Sequence, residues 1–209
     1  MKGEWATFLL AVQFLTRLPL KLEGLYTPER MAASVRYYPM VGILIGSVCA
    51  VIFVLSDMIF PTAIAILLSM MAGLLLTGAF HEDGLADTFD GVGGGLTREK
   101  ALQIMKDSRL GTYGTLALVI ALALKAGALM ALPTTLIAAA LIAAHGLSRL
   151  SSVVVIATSR YVRDEGTGKP VAKGLSPISI SIAIFTGLAV IALWCFAETP
   201  FALVWAIAG

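Results

Sequence analysis

Charge is in short supply in this chain. Asp, Glu, Lys and Arg together make up 13% of its 209 residues, about half the share of a soluble domain. With 58% hydrophobic residues and a mean hydropathy of +0.91, that shortage argues against an ordinary soluble protein and against a disordered one. Cysteine is nearly absent. Cys49 and Cys195 both lie inside apolar runs and read as small buried hydrophobes, neither a disulfide nor a metal pair. Histidine occurs twice, at His81 and His145, too rarely for a zinc set. An excess of one charge is missing as well. The net charge is +2, and no Lys/Arg stripe with interleaved aromatics is present, so no nucleic-acid partner is expected.

Long apolar runs dominate what remains. A bilayer core about 30 Å thick needs about 20 apolar residues as a helix. Residues 40–60, 62–80 and 176–197 each meet that requirement, and residues 115–158 are long enough for two spans, with a turn at Pro133. The expected architecture is all-α: a polytopic transmembrane helix bundle with charged cytoplasmic loops, forming a single integral membrane domain over residues 1–209. Residues 1–20 include Gln13, Thr16 and Arg17 and read as an interfacial or marginal helix, not a signal peptide. The last apolar piece, 201–209, is too short to cross alone.

The cations fall in blocks. Residues 1–37 hold five Lys/Arg, 81–113 hold four and 159–175 hold four, with Lys125 and Arg149 between them. The turns near Pro61 and Pro133 hold none. Hairpins over 40–80 and 115–158 put all three blocks on one side, which the positive-inside rule assigns to the cytoplasm.

The most informative text is His81-Glu82-Asp83-Gly84-Leu85-Ala86-Asp87-Thr88-Phe89-Asp90-Gly91. On a helix Asp83, Asp87 and Asp90 fall at about 0°, 40° and −20°, one face. Three carboxylates in register repel one another unless a divalent cation neutralises them, and hard oxygen donors suit Mg²⁺, Mn²⁺ or Ca²⁺. His81 and Glu82 fall on other faces; Glu82 reaches such a site only from a non-helical backbone. Gly91 and Gly93 to Gly95 are expected to end the helix, as a phosphate cradle or as a plain turn. Lys106, Asp107 and Arg109 follow, together with Gly111 and Gly114. They suit phosphate oxygens or a surface anchored at lipid headgroups.

Within the spans, His145, Ser148, Arg149 and Ser152 are spaced i, i+3, i+4, i+7, a polar stripe on an apolar helix. Serine-mediated helix packing accounts for the serines, but Arg149 calls for an anionic partner. Lys125 either lines a cavity or snorkels. The block at 160–169, with Arg160 and Arg163, suits a phosphate–metal site or an ordinary loop. Together these parts fit metal-assisted transfer of a phosphate-containing group, with an Asp as general base on an incoming hydroxyl.

The acidic run and the segment 104–114 closely resemble the cobalamin (5′-phosphate) synthase family, the adenosylcobinamide-GDP ribazoletransferases. Phe14-Leu15-Thr16-Arg17-Leu18-Pro19, Tyr38-Pro39-Met40-Val41-Gly42, Ser148-Arg149 and the stretch 161–168 match as well. The resemblance implies a multi-pass enzyme of the bacterial inner membrane whose active site faces the cytoplasm. It implies Mg²⁺ as cofactor. The reaction joins adenosylcobinamide-GDP to α-ribazole or its 5′-phosphate and releases GMP, the last stage of cobalamin nucleotide-loop assembly. Asp83, Asp87 and Asp90 become the expected catalytic metal ligands, with Glu82 an additional carboxylate where the family text has Leu. His81, Lys106, Asp107, Arg109, His145, Arg149 and Arg163 become the expected substrate contacts. Membrane lipid is the expected surround, and a homo-oligomer is compatible with the sequence. Family members carry a C-terminal Gly-rich stretch with Thr-Gly-Asp, which nothing after Ala197 matches.

Two other readings use the same residues. A CDP-alcohol phosphotransferase needs Asp-Gly-x₂-Ala-Arg followed by Gly-x₃-Asp-x₃-Asp, and here Asp87 follows Ala86 while the second half is missing. A divalent-cation carrier should hold its acids at the bilayer midplane, whereas these follow a span.

Overall fold

The computed structural model describes residues 2–107, 109–162, 166, 168–172 and 175–208, the side chains of residue 2 and of 196–208 excepted. The elements are α1 (Lys2–Leu15), α2 (Pro28–Ser34), a 3₁₀ turn (Val35–Tyr37), α3 (Tyr38–Asp57), α4 (Thr62–Thr77), α5 (Phe80–Gly94), α6 (Arg98–Ile104), α7 (Thr112–Met130), α8 (Thr134–Thr158) and α9 (Pro177–Ala208). The fold is all-helical, as the composition requires. Residues 28–57, 112–130, 134–158 and 177–195 are long and apolar enough to cross a membrane, and the α4–α5 pair supplies a fifth, bent candidate.

Local chemistry sets the boundaries. Thr27 caps α2 by accepting a hydrogen bond from the Arg30 amide at 3.1 Å, and Thr97 caps α6 through the Lys100 amide at 3.2 Å. Pro39 sits in the first turn of α3, where its missing N–H removes no helical bond. Pro61 and Pro133 each immediately precede the next helix.

The core joins α3, α4 and α8, with Ile45, Cys49, Phe53, Ile66, Met70, Ile137 and Leu141 in one buried cluster that also takes in Leu10, Ala11, Val12 and Leu15 of α1. α3 meets α8 at backbone distance. A Cβ on Gly46 would lie 2.7 Å from both Ile142 Cα and Leu141 O, and one on Gly42 would collide with the His145 carbonyl. This Gly-x₃-Gly spacing lets two helix backbones touch, a recurrent packing in membranes. α1 has 14 residues, about 21 Å of helix, shorter than a bilayer core.

Three boundaries differ from those expected from hydropathy. The run 62–80 does not stay straight: α4 stops at Thr77 and α5 leaves at 86°. Gly78 (φ 64°) and Ala79 (φ 54°) both adopt the left-handed conformation, and two such residues in succession turn the chain. Arg17 braces the corner, its amide donating to Leu76 O at 2.7 Å while its side chain packs where a Gly78 Cβ would stand. The glycines at 91 to 94 do not end a helix. α5 runs through Gly94, and Gly95 caps it with its amide on Gly91 O at 2.9 Å. Their purpose is close approach: a Cβ on Gly91 would lie 2.6 Å from Met105 Cγ and one on Gly95 2.6 Å from Ala101 Cα. Gly91 and Gly95 are thus packed against α6 and the residue after it, while Gly93 and Gly94 are exposed. Finally, α9 continues past the expected end near 197 to Ala208, absorbing the piece 201–209 up to that point. Neither Cys49 nor Cys195 is in a disulfide.

Candidate active site

The corner after α4 sets out two groups of polar side chains on α5. Successive helical residues are rotated by about 100°, so Asp83, Asp87 and Asp90 share one side while His81 and Glu82 face elsewhere.

Asp90 is 8% exposed. Its carboxylate accepts from the Gly111 amide at 2.7 Å and the Gly114 amide at 2.8 Å. It thereby closes the N-terminus of α7 from another helix, satisfying donors that have no intrahelical partner. A Cβ on Gly111 or Gly114 would stand against that carboxylate, 2.8 Å and 3.0 Å from its Cγ. The glycines of the segment 104–114 are thus explained by Asp90, a link the sequence held in the Gly111-x₂-Gly114 spacing and which spacing arguments on the aspartates alone miss.

That engagement bears on the expected metal set. Among the described residues no three His, Cys, Asp or Glu side chains converge to hold an ion. Asp90 is committed to backbone amides with both oxygens, and Glu82 is on a different face. Asp83 is exposed and Asp87 half-buried. Two carboxylates suit Mg²⁺, which is commonly held by one or two of them with water and substrate phosphate completing the shell. The residues therefore fit a Mg²⁺ ion through Asp83 and Asp87, with Asp90 fixing the helix junction beside them.

The neighbouring loop carries Lys106, Asp107 and Arg109. Arg109 Nη2 lies 2.6 Å from Asp107 Oδ2, and its Nε reaches both carboxylate oxygens at 3.0 and 3.1 Å. Hydrogen bonds from Arg109 hold the Asp107 carboxyl below its usual range. Both groups are solvated, so the pair shapes the loop and adds little to stability. Lys106 is exposed. Arg163 lies outside the described residues.

The second group lies deeper. A cavity of about 550 Å³ opens between α4, the first turn of α5, α7 and α8. Its polar lining is Thr77, His81, Glu82, Lys125, His145, Ser148 and Arg149; the rest is apolar, including Leu74, Leu122, Leu132 and Ala140. Lys125 is thus a cavity residue, which settles the choice left open by its mid-span position. His145 and Arg149 are 7% and 6% exposed. Arg149 Nη1 lies 3.0 Å from His145 Nδ1 and 2.9 Å from Ser148 Oγ. The stripe expected on α8 is real in its first three members. Ser152 instead donates to the Ser148 carbonyl at 3.2 Å, a helix-local bond.

The structure therefore divides the expected site residues between two places. Asp83, Asp87, Lys106, Asp107 and Arg109 belong to the solvated edge formed by α5 and the α6–α7 loop. His81, Glu82, Lys125, His145 and Arg149 belong to the cavity. Glu82 joins the second set because a helical backbone carries it away from Asp83.

Comparison with known proteins covers nearly the whole chain. The model of the family described as cobalamin-5-phosphate synthase matches residues 7–209. An adenosylcobinamide-GDP ribazoletransferase of Shewanella frigidimarina is 45% identical over 201 residues, 94% of this chain and 77% of that protein. Proteins of the same name from Vibrio cholerae and Leptothrix cholodnii are each 45% identical, over 90% and 99% of this chain and 74% and 80% of their own lengths. No solved structure matches. The chain belongs to the cobalamin-5-phosphate synthase family.

Proposed function

We propose that the chain is a Mg²⁺-dependent adenosylcobinamide-GDP ribazoletransferase, working in the bacterial inner membrane with its polar edge toward the cytoplasm. The observation that carries the reading is the family match over residues 7–209, on a chain whose acidic helix leaves a membrane-embedded bundle at a fixed corner. In the reaction a hydroxyl of α-ribazole, free or as its 5′-phosphate, attacks the phosphorus nearer the cobinamide. The new P–O bond forms as the bond to GMP breaks, and the hydroxyl proton passes to a carboxylate.

Bound Mg²⁺ would neutralise charge on the diphosphate and the departing phosphate. Asp83 and Asp87 would hold it, and whichever of the two is nearer the incoming hydroxyl would take its proton. Asp90 acts as a positioning residue: by closing α7 it fixes the α5–α7 junction and the loop that carries Lys106 and Arg109. That loop offers cations to the nucleotide half of the donor. His81, His145 and Arg149 contact substrate from the cavity. Sidedness rests on the cation blocks at 1–37, 81–113 and 159–175, which the positive-inside rule puts in the cytoplasm.

The test is GMP release by the purified chain in lipid, given adenosylcobinamide-GDP and α-ribazole or its 5′-phosphate. GMP and the coupled corrinoid should appear in equal amounts and depend on Mg²⁺. GMP formation without coupled product would refute the transferase reading.

A further inference from the structure

The cavity between α4, α7 and α8 contains more donors than it can use. Arg149 is a buried cation that forms no ion pair at contact distance with a carboxylate among the described residues; Glu82 acts on it only through space. The Arg149 Nε has no hydrogen-bond acceptor. His145 is equally buried. Arg149 Nη1 can only donate, so His145 Nδ1, at 3.0 Å, must accept and the ring proton sits on Nε2. That Nε2–H is also without a partner. His81 Nδ1 is unpaired too. Lys125 adds a second cation to the lining, and Glu82 is its single acid. With neutral imidazoles the lining carries an excess positive charge in a low-dielectric layer. A buried charge without a partner is expensive, and unpaired buried donors carry a penalty of their own.

An anion with several acceptor oxygens removes both penalties at once. The remaining walls are apolar, so the anion carries an apolar group. The volume of about 550 Å³ suits a nucleotide-sized ligand; a corrin macrocycle with its side chains is much larger. Together these point to a phosphate ester bearing a flat apolar ring.

We infer that this cavity is the acceptor subsite and that Arg149, with the His145 Nε2–H and Lys125, reads the 5′-phosphate of the phosphorylated acceptor, the benzimidazole lying along the apolar wall. This rests on the transferase reading above and deepens it: the enzyme distinguishes phosphorylated from free acceptor through a site separate from the Asp83–Asp87 edge. The ligand's shared chemistry is a phosphate on an apolar body, which a phospholipid headgroup also offers.

Two measurements keep these possibilities apart. Calorimetric binding of α-ribazole 5′-phosphate and of α-ribazole is read for wild type, Arg149→Gln, Arg149→Lys and Lys125→Met in phosphatidylcholine nanodiscs, without donor. The wild type should prefer the phosphorylated compound at least tenfold. That preference should fall at least tenfold in Arg149→Gln, partly return in Arg149→Lys, and fall less in Lys125→Met. An equal preference in wild type, or one untouched by all three substitutions, would overturn the inference. So would a preference abolished in wild type by replacing phosphatidylcholine with phosphatidylglycerol, because the cavity would then belong to lipid. Because binding is measured without donor, absence of GMP release in the turnover assay would sink the transferase reading and leave this result standing. Should Arg149→Gln fail to insert, the Lys125→Met and Arg149→Lys preferences decide.

Discussion

The acidic edge of α5 and the cavity beneath it use charge in opposite ways. At the edge, Asp90 and Asp107 are satisfied inside the protein. Asp90 spends both oxygens on the Gly111 and Gly114 amides, and Arg109 grips Asp107. In the cavity, Arg149 Nε and His145 Nε2 are buried without partners. The motif that stands out most in the sequence is thus partly scaffold, while the unpartnered donors around Arg149 are what the proposed ligand would satisfy.

The sharpest way to break this comparison is Asp83→Asn. If Asp83 holds Mg²⁺, turnover should drop by about 10²-fold or more, with normal insertion and a higher Mg²⁺ requirement, read by GMP release across a Mg²⁺ titration. Retained turnover at wild-type Mg²⁺ dependence would return Asp83 to the solvated surface.

Asp90→Ala should behave differently. It strands two amide donors at the head of α7 and should cost about 1–3 kcal/mol of stability, measured by thermal unfolding in detergent. Part of the activity loss should be recovered at lower temperature, with the Mg²⁺ activation constant close to wild type. A shift in that constant as large as that of Asp83→Asn would restore Asp90 to the metal set.

Gly42→Ala probes the support under the cavity. Its Cβ would meet the His145 carbonyl and force α3 from α8, at about 1–3 kcal/mol. Insertion and stability identical to wild type would show that the α3–α8 contact yields easily.

Smallest of all should be Asp107→Asn. Hydrogen bonds from Arg109 hold that carboxyl below the usual carboxylate range, so its contribution is present above that range and lost as pH falls through the lower folded pKa. Being solvent-exposed, it should leave the melting temperature almost unmoved above pH 5; a clear drop there would show that the loop depends on the pair.

Much of this was legible beforehand. The spans followed from hydropathy because twenty apolar residues in a row have few other uses, and the turns at Pro61 and Pro133 followed from proline chemistry. The polar stripe on α8 was legible because Arg149 has no cheap alternative in an apolar layer. Hydropathy could not show the 86° corner, since Leu76 to Phe80 are as apolar in a bend as in a span; the left-handed pair Gly78–Ala79 and the Arg17 side chain packed against it are tertiary features. The division of the aspartates was hidden for a related reason. Helical spacing says which side chains share a face but not which neighbouring helix supplies their partners, and Asp90 finds its own some twenty residues downstream. The Gly42-x₃-Gly46 contact was in plain sight in the sequence and marks how closely α3 approaches His145.

The most direct test of the whole account is coupled product formation from adenosylcobinamide-GDP by the wild type and by Asp83→Asn, followed as Mg²⁺ is added to chelator-treated protein in lipid. The account predicts no product before Mg²⁺, one GMP for each corrinoid coupled after it, and a variant that stays near baseline. Equal product from both proteins, with or without Mg²⁺, would contradict it.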